Sequence, residues 1–144
     1  MNRLSRLVEL RKIQEEVKAA AFGRTVANLN ALKEANRQLQ EETASGRRVA
    51  LQDVDRFEDR LPPHMYEDYY KGQSWRQVQL QEKIAKAEEE VKRAQKVWQD
   101  AHIQVKQVEK LASREDERLR QEANRRELHT LDDMGALRHS QHQE

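Results

Sequence analysis

Ten positions of this chain, Leu80, Ile84, Ala87, Val91, Ala94, Trp98, Ala101, Val105, Val108 and Ala112, are apolar and stand alternately four and three residues apart. The repeat averages about 3.5 residues, close to the roughly 3.6 of an α-helix, so it lays one narrow apolar seam along a helix. A second helix is needed to cover that seam. A helix that buries only a stripe encloses no substrate. The pattern predicts an all-α fold of two long helices in an antiparallel coiled-coil hairpin, acting by contact with other proteins.

Composition narrows the class further. Of 144 residues, 36% are hydrophobic and 37% charged. That is too polar for a globular core, yet it suits a helical hairpin in which about two positions in seven are buried. The length allows a single domain over 1–144. The 27 basic and 26 acidic residues interleave, so no long-range field exists to hold a polyanion, and nucleic acid is not expected as a partner. Without cysteine there is neither a disulfide framework nor thiolate chemistry. The longest apolar run, Ala19-Ala20-Ala21-Phe22, falls far short of the roughly 20 residues that span a bilayer. Glu9, Arg11 and Lys12 occupy the place where an export signal carries its apolar stretch. A soluble, cytoplasmic chain with no direct membrane insertion is expected.

Residues 2–43 are rich in good helix formers, and their apolar positions run Leu7, Leu10, Ile13, Val17, Ala20, Val26, Leu29, Leu32 and Leu39. The stripe is helical but drifts near Gly23. Ser45-Gly46 reads as a possible break, after which Ala50, Val54, Phe57 and Leu61 resume helical spacing. Pro62-Pro63 predicts the turn, at 62–64, because neither residue donates a backbone hydrogen bond and Pro63 pushes Pro62 out of the α region. Helix 1 is thus expected over about 2–61 and helix 2 over about 64–137, with 138–144 a frayed tail. Folding back about the prolines sets Trp98 beside 23–27, where Gly23 and Ala27 offer room, and Val108 near Ile13 and Val17. That size match favours pairing within one chain, and a monomer, over a parallel dimer.

Three regions are candidates for contact. Five of the seven aromatic residues, Phe57, Tyr66, Tyr69, Tyr70 and Trp75, cluster around the turn. They read either as a plug closing the tip or as an exposed docking patch, since Tyr and Trp are enriched at interface hot spots. Arg3, Arg6, Arg11 and Lys12 stand against Glu9 alone in the first turns, as a solvated face or as a docking surface for an acidic ring or cleft. Past residue 113 the seam positions are Glu115, Leu119, Glu122 and Arg126, so the seam loses its apolar content after Leu119, and Leu128, Leu131, Met134 and Leu137 form a short stripe out of phase with it. This reads as a polar helix overhanging helix 1, or as one that docks in a partner's groove. His139-x-x-His142 lacks further ligands at metal spacing, and no phosphate loop or nucleophile set is present. No enzyme activity, cofactor or metal is expected.

The stretch Val97-Trp98, the run ending Glu109-Lys110-Leu111, the block Arg114-Glu115-Asp116-Glu117-Arg118, and Arg125-Arg126-Glu127-Leu128 followed by Leu131-Asp132-Asp133 together resemble the FliJ family. This family of flagellar export proteins is related to the stalk proteins of injectisome type III secretion. The resemblance spans nearly the whole chain. It implies a cytosolic stalk, similar to the central shaft of rotary ATPases, that sits in the hexameric export ATPase, stimulates it and reaches the cytoplasmic part of the membrane export gate. Binding of substrate chaperones is also implied, and so is a place at the inner membrane beside the export apparatus. By position, residues about 3–24 with 100–125, including Arg3, Arg6, Arg11 and Lys12, would meet the ATPase ring. Tyr66, Tyr69, Tyr70 and Trp75 would face the gate. Pro62-Pro63 departs from the flexible loop expected there. An export chaperone or adaptor, or the equivalent stalk protein of an injectisome, is the alternative function.

Overall fold

The computed structural model describes residues 3–53 and 63–143. They form two α-helices, α1 over Leu4–Asp53 and α2 over Pro63–Gln143, with no strand among the described residues. The fold is all-α, and its helix–helix contacts are those of a helical hairpin. Helix α2 opens on Pro63, a position where the missing N–H has no intrahelical partner to lose and the fixed φ is already helical. Val54, Phe57, Leu61 and Pro62 lie outside the described residues.

Two expectations about helix ends change. Helix α1 runs unbroken through Ser45 and Gly46, and no glycine adopts a positive φ. Its glycine serves packing, as described below. Helix α2 continues to Gln143, past the end expected near 137.

The chain divides into two compact units. One pairs residues 1–16 with 99–144, and the other spans Val17–Trp98. In the first, Arg11 meets Gln104, Lys12 meets Glu109 and Glu15 meets His102. In the second, Phe22 stacks on Trp98, with ring centroids 6.1 Å apart and planes 10° apart, while Gly46 and Arg47 meet Tyr69 and Tyr70. Within each unit, later residues of α1 meet earlier residues of α2, so the two segments run antiparallel.

The core is as thin as the seam implies. All ten heptad positions of α2 are buried or half-buried, led by Val105 at 2% exposure and Ala87 at 3%. On α1 only Leu39, at 8% exposure, is buried among the described residues. Stability therefore accumulates from many partial burials, each worth a fraction of the roughly 1.5–3 kcal/mol of a fully buried aliphatic side chain.

The face of α1 that turns inward is not the one its apolar spacing suggests. Leu10, Ile13 and Val17 are more than half exposed, and Ala20 is exposed. The half-buried positions include Leu4, Leu7, Val8, Arg11 and Glu15 in the first unit, then Ala19, Phe22, Val26, Leu29 and Leu32 in the second. Two stripes overlap in these turns, and the inner one is interrupted by Arg11 and Glu15, which meet Gln104 and His102 on α2. The expected neighbours change accordingly. Trp98 packs on Phe22 and not into a gap at Gly23, whose Cβ position has nothing within 4 Å. Ile13 and Val17 face water instead of covering Val108.

Candidate docking surfaces

The aromatic stretch belongs wholly to the second unit, and the heptad explains how it is split. Continuing the seam backward from Leu80 gives Gln77, Gln73, Tyr70 and Tyr66, and all four are buried or half-buried. Tyr70 is held from two sides. The Arg47 guanidinium lies 5.4 Å from its ring centroid, a cation–π distance, and the Tyr69 ring meets it edge-on at 5.5 Å and 68°. Gln73, only 6% exposed, donates from Nε2 to the Tyr69 hydroxyl at 3.1 Å.

Tyr69 sits over Gly46. A Cβ at Gly46 would stand 3.1 Å from the Tyr69 hydroxyl and 3.4 Å from its Cε1, so the missing side chain is what lets the ring lie there. Tyr69 nevertheless keeps 43% of its surface in water, and Trp75 keeps 65%. Trp75 forms one wall of a shallow groove of about 400 Å³ that also touches Leu39, Leu80, Arg76 and Lys83. Of the four aromatic residues expected to face the gate, Tyr66 and Tyr70 are half-buried, Tyr70 against Arg47 of α1, while Tyr69 and Trp75 are exposed. An exposed Trp beside a groove with an apolar floor and polar edges that carry Arg76, Lys83 and Glu42 is suited to hold a partner side chain. It is too open to exclude water from a reaction.

The basic first turns belong to the other unit and split as well. Arg3 and Arg6 are exposed. Arg11 is half-buried, donates to Gln14 Oε1 at 3.2 Å and to Gln104 Oε1 at 3.0 Å, and has its Nε buried with no hydrogen-bond partner among the described residues. Lys12 pairs across the helices with Glu109 at 3.6 Å, and Lys106 reaches the same carboxylate at 3.5 Å. Next to them the Glu15 carboxylate lies 2.6 Å from Nδ1 of His102. Arg11 and Lys12 thus tie the helices together, and this polar set specifies their register.

Beyond Glu115, every described side chain of α2 is exposed. What keeps this length helical is local. Arg118 bridges Glu115 at 2.7 Å and Glu122 at 3.4 Å, and Arg126 reaches Glu122 at 3.7 Å, each pair at the i,i+3 or i,i+4 spacing that supports an isolated helix. Arg118 holds the Glu115 carboxyl below its ordinary 4.5, chiefly through the hydrogen bond and partly through charge, with a smaller contribution from Arg3. The same bond raises Arg118. A matching triad, Glu34, Arg37 and Glu41, decorates the second unit. Leu128, Leu131, Met134 and Leu137 all keep more than half of their surface in water.

Among the described residues no three His, Asp or Glu side chains gather as metal ligands, and no helix is long and apolar enough to cross a membrane. The seam could have revealed Gln73 and Gln77 as inner residues by simple extension. Nothing local in the sequence announces that Gly46 answers Tyr69 or that Arg47 covers Tyr70. Against known proteins, a family model described as Flagellar FliJ protein matches residues 1–144, the whole chain. No curated protein and no solved structure gave a significant match.

Proposed function

We propose that the chain, which belongs to the flagellar FliJ family and so is a component of the flagellar export apparatus, is the non-enzymatic stalk of that apparatus. In this reading it binds and stimulates the hexameric export ATPase and links it to the membrane export gate. The match over the full length carries the reading, and it favours the flagellar system over the injectisome. The surfaces agree with it. One unit offers a cationic and apolar end for the ring, and the other offers Tyr69 and Trp75 for the gate. The protein works in the cytoplasm at the inner membrane. Exposed ion pairs of the kind that cover α2 are worth about 0–1 kcal/mol each, so contacts with a cycling ring can break and re-form.

The test is turnover. Adding the full chain to the purified cognate ATPase should raise its rate of hydrolysis, and Arg3→Glu with Arg6→Glu should reduce that gain. Unchanged turnover at saturating chain refutes the stalk. A second reading, a chaperone or adaptor for export substrates, is favoured by Trp75 beside its groove. It requires capture of purified substrate chaperones that persists in the Arg3→Glu, Arg6→Glu variant and fails in Tyr69→Ser with Trp75→Ser.

A further inference from the structure

Past Glu115 no side chain of α2 is covered by α1. Leu128, Leu131, Met134 and Leu137 stay exposed there, to 61%, 57%, 54% and 63%. A spacing of three falls about 60° short of a full helical turn, so the four fan across half of the helix's girth. Leu131 and Met134 straddle the middle of that half, and Leu128 and Leu137 mark its margins. Glu127 and Arg138 lie on the midline, one at each end of the apolar set. Neighbouring charges are used within the helix, Arg126 on Glu122 and His129 on Asp133. Glu127 and Arg138 enter no ion pair among the described residues. The arrangement reads alike in both directions. Leu131 and Met134, Leu128 and Leu137, and Glu127 and Arg138 each lie at equal distances from the bond between Asp132 and Asp133.

We infer that residues 124–141 of α2 pair antiparallel, about a two-fold axis, with the same residues of a second copy of the chain. Leu131 then packs on Met134 of the copy, and Glu127 meets its Arg138. A two-fold interface must complement itself, residue i meeting j while j meets i. This midline does so along its length, from Asn124 opposite Gln141, through Glu127 opposite Arg138, to the two apolar layers at the centre. Asp132 and Asp133, nearest the axis, point about 130° away from the midline, so their carboxylates stay in water. Parallel pairing in register would set Glu127 against Glu127 and Arg138 against Arg138. A bilayer fits poorly, because lipid-binding helices carry a cationic polar face, whereas residues 120–143 hold four arginines and four carboxylates. The pairing leaves every contact between α1 and α2 in place, so it adds to the hairpin and does not compete with it. It is independent of the stalk reading, since it concerns the chain by itself. Its interface is small, so the pair is weak and forms with rising concentration.

Sedimentation equilibrium of the full chain reads the pairing directly. The wild-type mass should climb toward that of two chains as concentration rises. Leu131→Gln with Met134→Gln, which keeps good helix formers, should leave far-UV helicity unchanged and raise the dissociation constant by about tenfold or more. Glu127→Arg alone and Arg138→Glu alone should each weaken association by about three- to tenfold, through two like-charge contacts per pair. An equimolar mixture of these two single variants, or the double variant Glu127→Arg with Arg138→Glu, should associate like the wild type. The chain has no cysteine, so Asn124→Cys and Gln141→Cys report orientation. Mixed and oxidised, the two should join through positions 124 and 141, while neither joins to itself. A single-chain mass at every concentration up to about 1 mM, the scale of the weakest specific contacts, overturns the pairing. Self-linking of Asn124→Cys without the mixed product overturns the antiparallel arrangement. If the wild type stays single while Leu131→Gln with Met134→Gln abolishes binding to phosphatidylglycerol vesicles or to the cognate ATPase, the face belongs to lipid or to that protein, and self-pairing is refuted.

Discussion

Replacing glycines in the second unit by alanine measures what Gly46 is for. Alanine in the interior of an exposed helix is worth about 0.8–1 kcal/mol over glycine. Gly23 and Gly72 have nothing within 4 Å of the added Cβ, so Gly23→Ala and Gly72→Ala should each stabilise by about that amount. At Gly46 the same Cβ stands 3.1 Å from the Tyr69 hydroxyl, and the ring must move by a few tenths of an ångström. That motion strains the 3.1 Å bond from Gln73, whose amide is buried and has little water to turn to. Losing such a bond costs about 0.5–1.5 kcal/mol, so Gly46→Ala should be close to neutral. In a Tyr69→Phe background the nearest remaining ring atom, Cε1, stands at 3.4 Å, an ordinary contact, and the alanine gain should return. The cycle should thus show a coupling of about 1 kcal/mol between positions 46 and 69. Urea unfolding reads it directly, because with a slope of about 1–3 kcal/mol per molar the midpoint moves by about 0.3–1 M per kcal/mol. A Gly46→Ala gain equal to that of Gly23→Ala would refute the packing role of Gly46.

Two further outcomes follow from burial and charge. Val105, at 2% exposure the deepest side chain described, should cost about 1.5–3 kcal/mol as alanine, from lost transfer energy and the void left behind; a loss in urea unfolding no larger than that of Val78→Ala, at a position that is 51% exposed, would contradict the seam. The Glu115 carboxyl is held below its ordinary 4.5 by Arg118, so its contribution to the helix is fully present above about pH 4.5 and fades as the pH falls through the lowered value. Carbon-detected NMR of the Glu115 side chain should show a midpoint under 4.5, with helicity at 222 nm falling less in Glu115→Gln than in the wild type on acidification. A midpoint at or above 4.5 would contradict the pairing.

The heptad from Leu80 to Ala112 made α2 and its inner face legible in the sequence, because a run of small and branched side chains at constant spacing leaves one solution for which side is buried. The same regularity, extended backward, reaches Tyr70 and Tyr66. Helix α1 was harder. Leu10, Ile13 and Val17 look like a core stripe when read alone, and nothing in α1 says that Arg11 and Glu15 occupy inward positions; that depends on Gln104 and His102 waiting across the interface. Gly46 misled for the same reason. Next to serine it signals a break, whereas its role is set by a tyrosine that is remote in sequence. Local composition fixes the helices, and long-range partners fix which residues they spend inward.

That division bears on how the two units do their work. The second unit is closed by aromatic packing, with Phe22 on Trp98 and Tyr70 between Arg47 and Tyr69. Such contacts tolerate little displacement, so this end of the unit is held by close packing of rings. The first unit is joined at Arg11, Lys12 and Glu15 through hydrogen bonds and ion pairs. Polar pairs at a seam cost stability relative to apolar ones while rejecting shifted registers. A one-turn slip of α1 would part all three together, so the register that holds Leu10 and Ile13 outward is also the one that forms these cross-helix polar contacts. The exposed stripe is therefore a consequence of the inner polar set: converting Arg11 and Glu15 to leucine would offer α1 a second, apolar way to face α2, with Leu10 and Ile13 competing for the seam.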